Sequence, residues 1–128
     1  MNCLALVLLA IMVQSEAGSE PYDGKLAVAY VAMNRVEQGM LPGEEGLRMT
    51  RLITVLQQSK QFALNPRLKI SESTWLAAHS ALNHTLPDPT GGADHFYARA
   101  VKPWPAWYDE RYITVRIGRH DFLKLGGY

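Results

Sequence analysis

Tyr112-Ile113-Thr114-Val115-Arg116-Ile117-Gly118-Arg119-His120-Asp121-Phe122-Leu123-Lys124 decides the fold class. Ile113, Val115 and Ile117 alternate with Tyr112, Thr114 and Arg116, the period of two that gives a strand one apolar row and one polar row. Gly118-Arg119 reads as a tight turn into His120–Lys124, so the C-terminus predicts a β-hairpin. Ala93 to Ala100 is a second extended candidate.

Upstream the period changes. Residues 3–16 are apolar nearly all round, the pattern of a central core helix. Gly18-Ser19-Glu20-Pro21-Tyr22-Asp23-Gly24 breaks it, and Pro21 or the residues just after it open a second helix with Ser19 or Glu20 near its cap. Leu26, Ala29, Tyr30, Met33 and Val36 carry that helix at helical spacing to a stop at Gly39. Residues 40–46 are a loop, Leu47 to Gln58 a helix with Leu52, Val55 and Leu56 on one face, and Asn65-Pro66 a turn. Ser71 caps a fourth helix through Trp75, Leu76, Ala78 and Leu82 to near His84, and Pro87–Gly92 is a glycine-tipped loop. Helices first and strands last make an α+β plan, with N-terminal helices followed by a C-terminal hairpin or small antiparallel sheet. Without a repeat or linker, residues 1–128 are expected to form a single domain.

Composition excludes several classes. The 13 basic and 12 acidic residues leave a net charge of +1 with no long basic run, so nucleic acid is not an expected partner. One cysteine, Cys3, rules out an internal disulfide framework. Met1 to Val13, followed by Ser15, Ala17 and Gly18, looks like a secretory signal, yet no Lys or Arg precedes Lys25. The apolar run from Cys3 to Val13 is short of the ~20 residues that span a bilayer, so no stable membrane insertion is expected. A buried first helix is the favoured reading over a leader.

Glu16-Ala17-Gly18-Ser19-Glu20 sets two carboxylates four apart where the apolar helix ends. Desolvation and the negative end of the helix dipole both favour the protonated form of Glu16, the state a glycosidase needs in its general acid. The competing reading is a carboxylate that merely solvates a helix end. His79 and His84 lack the spacing that puts two ligands on one helix face, and no HExxH or cysteine pair exists. His95 and His120, in the two extended segments, are expected to approach across strands and line a cleft; a zinc site there lacks a third ligand, so no metal and no cofactor is expected. No Gly-x-Ser-x-Gly elbow offers a serine nucleophile. Trp104, Trp107 and Tyr108 occupy a proline-broken loop that suits either a saccharide platform or a cap on the core.

Taken in order, these pieces resemble the SleB-type cell wall hydrolases, which include spore cortex-lytic enzymes. The pieces are Glu16-Ala17 with Glu20-Pro21-Tyr22-Asp23-Gly24-Lys25; Asn34-Arg35-Val36; Gln61-Phe62; Asp88-Pro89-Thr90-Gly91-Gly92-Ala93 with His95-Phe96-Tyr97; and Ile117-Gly118 with His120 and Phe122. The resemblance implies a small lysozyme-like catalytic domain that cleaves the bond between N-acetylmuramic acid and N-acetylglucosamine in peptidoglycan. It implies Glu16 as the catalytic acid of a lytic transglycosylase, which needs one essential carboxylate. Gln61, Phe62, His95 and Tyr97 are then substrate-contacting residues, with Trp104 and Trp107 as subsite aromatics. The chain departs from the family at Gly18-Ser19, at Leu123, and at Asp94, where Thr is frequent. Asp94 adds a carboxylate expected near the cleft, and with it the alternative of plain hydrolysis by a muramidase. A monomeric phage endolysin, made in the host cytoplasm and acting on the wall, is the expected context, with an exported bacterial wall enzyme as the alternative. The rival classes are a non-catalytic glycan-binding module and a metal-dependent hydrolase built on His95 and His120.

Overall fold

The structure is a computed structural model and describes residues 3–58 and 67–127. Four helices come first: α1 (Cys3–Ala17), α2 (Tyr22–Gln38), α3 (Arg48–Gln57), which follows a 3-10 turn at Glu45–Leu47, and α4 (Glu72–Asn83). Three strands follow, β1 (His95–Ala98), β2 (Ile113–Ile117) and β3 (His120–Leu123), in the order β1-β3-β2 with both pairings antiparallel. The α+β plan read from the hydropathy pattern is the one the chain adopts. The Asn65-Pro66 turn lies outside the described residues.

The middle of α1 is buried on every side: Leu9, Ala10, Met12 and Val13 have no exposed surface. That matches its all-round apolarity, because α2, α3 and α4 each pack against it. Toward its start the helix emerges, leaving Leu4 and Val7 exposed. α2 starts after Pro21, whose ring presets the entry and which supplies no side-chain cap, so neither Ser19 nor Glu20 caps it. Gly39 ends it. α3 turns Leu52, Val55 and Leu56 inward. Ser71 caps α4, its Oγ accepting from the Thr74 N–H at 3.3 Å, and His84 closes it in the left-handed region at φ 53°.

The sheet lies with one face on the helices. Phe96, Val115, Ile117 and Phe122 point into the core cluster with α1 and α2. The opposite face carries His95, Tyr97, Arg116 and Asp121, as alternation along each strand requires. No described helix is long and apolar enough to cross a membrane.

Candidate active site

Two polar joints fasten the sheet to the helices. The first is at the C-terminal half of α2. Asn34 Nδ2 donates to Asp88 Oδ2 and to the Ala93 carbonyl, both at 2.9 Å, and Arg35 Nε donates to the Asp94 carbonyl at 2.7 Å. Asp88 organises its own loop, accepting from the Thr90 N–H at 2.8 Å, the Thr90 hydroxyl at 2.7 Å and the Gly92 N–H at 3.1 Å. Asn34-Arg35 and the Asp88–Ala93 run, far apart in sequence, are thus two halves of one joint.

Asp94 belongs to the same joint and not to a cleft. Fully buried, it accepts from His95 Nδ1 at 2.9 Å, Gln38 Nε2 at 2.7 Å, and the N–H groups of Leu125 at 2.9 Å and Gly126 at 2.8 Å. Burial alone would raise its pKa, but the bonds from His95, Leu125, Gln38 and Gly126 together hold the carboxyl below its ordinary value. With both oxygens so engaged, Asp94 has no lone pair to spare for positioning a water, which corrects the expectation of a cleft carboxylate.

The second joint lies where α1 hands over to α2. Glu20 is 7% exposed; its Oε1 accepts from the Arg119 N–H at 2.8 Å and lies within hydrogen-bond distance of His120 Nδ1, at 3.1 Å. The Glu20 N–H donates to the Ala17 carbonyl at 3.0 Å, closing the turn directly after Glu16. Glu16, in the last turn of α1, is half-buried, and its charge acts on the His120 ring. Burial pushes the His120 imidazole below its ordinary pKa, against the opposing pull of Glu20 and Glu16 and with a smaller lowering push from Arg99. The ring is therefore neutral at neutral pH. Of the two carboxylates, then, Glu20 is buried in the joint and Glu16 keeps access to solvent.

His95 and His120 do not meet. His95 pairs with Leu123 and His120 with Ala98, so the two rings stand at opposite ends of the strand pair and on opposite faces. The expectation that they jointly line a cleft is corrected by the register. Phe96, edge-on to His120 at 5.5 Å between ring centroids, is the β1 residue that shares the Glu20 face. Among the described residues no group of three His, Cys, Asp or Glu side chains is arranged to hold a metal ion.

On the outer face an aromatic layer covers the sheet. Trp107 lies 4.8 Å from the His95 ring and 6.0 Å from Tyr97, while Trp104 lies 4.6 Å from Tyr108. The Tyr108 hydroxyl donates to buried Asp121, which also faces Arg116 Nε at 3.1 Å and Arg99 Nε at 3.3 Å. Burial, and then that hydrogen bond, raise the Tyr108 pKa. Trp104 and Trp107 remain 40% and 39% exposed, so the loop both caps the sheet and offers indole surface to solvent. The Tyr108-Asp121-Arg99-Arg116 cluster went unseen in the sequence; the only hint was a lone Asp in a strand otherwise bound for burial. Gln61 and Phe62 lie outside the described residues.

Comparison with known proteins supplies the context. A family model described as Cell Wall Hydrolase matches residues 19–123. A spore cortex-lytic enzyme of Halalkalibacterium halodurans is 32% identical over 118 residues, which are 91% of this chain and 34% of that protein. One from Bacillus subtilis is 29% identical over 124 residues, 91% of this chain and 36% of its own length. The chain thus spans little more than a third of these relatives. A match over 91% of 128 residues omits about twelve, so it must extend across Glu16, which the family model stops short of. Among solved structures, the catalytic domain of the Bacillus cereus SleB protein superposes with a TM-score of 0.78 at 27% identity, covering 97% of this chain and 92% of that one. The catalytic domain of the germination-specific lytic transglycosylase SleB from Bacillus anthracis gives 0.78 at 26% identity, covering 97% of each chain.

Proposed function

The chain belongs to the cell wall hydrolase family, and from that premise we propose that residues 1–128 form one catalytic domain, a lytic transglycosylase of peptidoglycan glycan strands with Glu16 as its acid and base. The observation that carries the assignment is the division of labour between two neighbouring carboxylates: Glu20 is buried and doubly hydrogen-bonded, while Glu16 is only half-buried beside it. A general acid must reach a substrate oxygen, and Glu16 is the one of the pair that can.

Glu16 protonates the oxygen linking N-acetylmuramic acid to N-acetylglucosamine, and that bond breaks. The same group, now a carboxylate, takes the proton of the muramoyl 6-hydroxyl as its oxygen bonds to C1, closing a 1,6-anhydro ring and regenerating the acid. Water is not consumed and no second carboxylate is required, which fits a site where Asp94 is committed to the α2 joint. The exposed indoles of Trp104 and Trp107, with His95 and Tyr97 packed against Trp107, lie on the sheet face opposite His120 and offer apolar faces to sugar rings away from the bond that Glu16 cleaves. Gln61 and Phe62 are assigned to substrate contact on the family resemblance alone. The similarity to spore cortex-lytic enzymes favours the bacterial wall, cortex included, as the place of action, and gives a phage origin no support.

Mass spectrometry of muropeptides released from purified peptidoglycan tests the reaction. Anhydro-muramoyl ends are expected. Reducing muramic acid ends would replace transglycosylation by hydrolysis, and free stem peptides would mean that the wrong bond has been assigned. Glu16→Gln is expected to lower turnover by about three orders of magnitude or more while leaving wall binding intact, as loss of an essential acid does. Undiminished turnover in that variant would remove Glu16 from the mechanism.

A further inference from the structure

Glu20 and His120 are coupled more closely than a structural joint needs. Glu20 Oε1 is shared between the Arg119 N–H and His120 Nδ1, and its Oε2 is walled in by Gly118. A buried carboxylate that accepts from an imidazole requires the proton on Nδ1, and in a neutral ring this leaves Nε2 as a bare acceptor. Among the described residues the groups facing that ring are these. Glu20 comes from the α1–α2 turn, Glu16 from α1 and Arg99 from the segment after β1, while Phe96 and Phe122 pack against it at 5.5 and 6.2 Å. His120 keeps 8% of its side chain exposed.

We propose that Glu20 is a positioning residue for the reaction: it locks His120 as the Nδ1–H tautomer, so that Nε2 serves as the acceptor for an O–H or N–H donor of the sugar that Glu16 attacks. This rests on Glu16 as the acid. Sugars bristle with hydroxyl and acetamido donors, and one fixed acceptor beside the acid orients a ring. If the tautomer were reversed, the carboxylate of Glu20 would face a bare nitrogen, lone pair against lone pair. Glu20 thus acts through His120, and through the turn at residues 118–120 that carries it.

The test uses the full chain and pairs spectroscopy with kinetics. Long-range 15N–1H correlation of His120 at pH 7.5 is expected to show Nδ1 protonated and Nε2 not; protonation at Nε2 overturns the proposal without any variant. Glu20→Gln keeps an acceptor for the Arg119 N–H but weakens the lock, and mixed tautomers are expected. His120→Asn keeps a donor toward Glu20 and deletes the Nε2 acceptor. Each substitution is expected to lower kcat by about ten- to a hundredfold with a smaller change in KM, and the double variant to be no worse than His120→Asn alone. Losses that multiply in the double variant, or wild-type kcat with an unchanged tautomer in Glu20→Gln, overturn the proposal. A wild-type chain inactive on peptidoglycan would overturn the transglycosylase reading instead, while the tautomer measurement still decides whether Glu20 locks His120.

Discussion

Gly118 adopts φ +57°, and a β-carbon there would stand 2.7 Å from Glu20 Oε2 and 3.0 Å from Glu20 Oε1. Two separate constraints meet at this residue. The left-handed backbone is costly for any residue with a β-carbon, and the carboxylate it would strike is held by Arg119 and His120 and cannot retreat. Gly118→Ala is therefore expected to cost about 2 kcal/mol of stability and to lower turnover with it. A denaturant midpoint equal to that of the wild type would show that the turn tolerates the methyl group. From the sequence, Gly118 was visible as a turn residue. That it is also the floor beneath Glu20 was not, because the two are 98 positions apart in the chain.

Among the elements, α4 shows how a cap can carry more than its helix. Ser71 Oγ accepts the Thr74 N–H at 3.3 Å and also the ammonium of buried Lys25 at 3.1 Å, with Ser73 Oγ taking a second Lys25 proton at 2.6 Å. Gln14 of α1 reaches the same place, accepting from the Thr74 hydroxyl at 2.7 Å. The start of α4 thus gathers α1 and α2 at the end of the bundle where Glu16 emerges. Ser71→Ala removes the cap and one of two acceptors from a buried cation. The expected loss is about 2 kcal/mol, above the ~1 kcal/mol of an ordinary cap. Thermal melting beside Ser73→Ala checks it, and a loss no greater than a few tenths of a kcal/mol would mean that water replaces the hydroxyl. The cap at Ser71 was legible because cap residues announce themselves locally. The two faces of the sheet were half legible: alternation separated Ile113, Val115 and Ile117 from Thr114 and Arg116, but only the register showed that His95 and His120 stand on opposite sides.

At the scale of the whole molecule, two buried titratable groups set the response to acid. His120 has a folded pKa below its ordinary 6.5, so the stability its neutral form contributes is present above about that pH and is lost as the pH falls through the folded value. Asp94 has a folded pKa below its ordinary 3.8, so its contribution is present above that value and is lost as the pH falls further. Urea midpoints across pH 3–8 are thus expected to decline in two stages, the first starting below about 6.5 and the second below about 4. His120→Asn should flatten the first and Asp94→Asn the second; a first stage that persists in His120→Asn would assign it to another group. By itself the sequence determined the order of elements, α1 as the core helix, the cap at Ser71 and the α+β plan, because hydropathy period and turn chemistry act over neighbouring residues. Tertiary structure alone decided what the polar motif residues do. It made Asn34, Arg35, Asp88 and Asp94 one joint, Glu20 and His120 another, and left Glu16 as the carboxylate of its pair with access to solvent. Which polar partners meet depends on how helix and strand surfaces pack across the core, and a buried carboxylate takes whatever donors that packing brings to it.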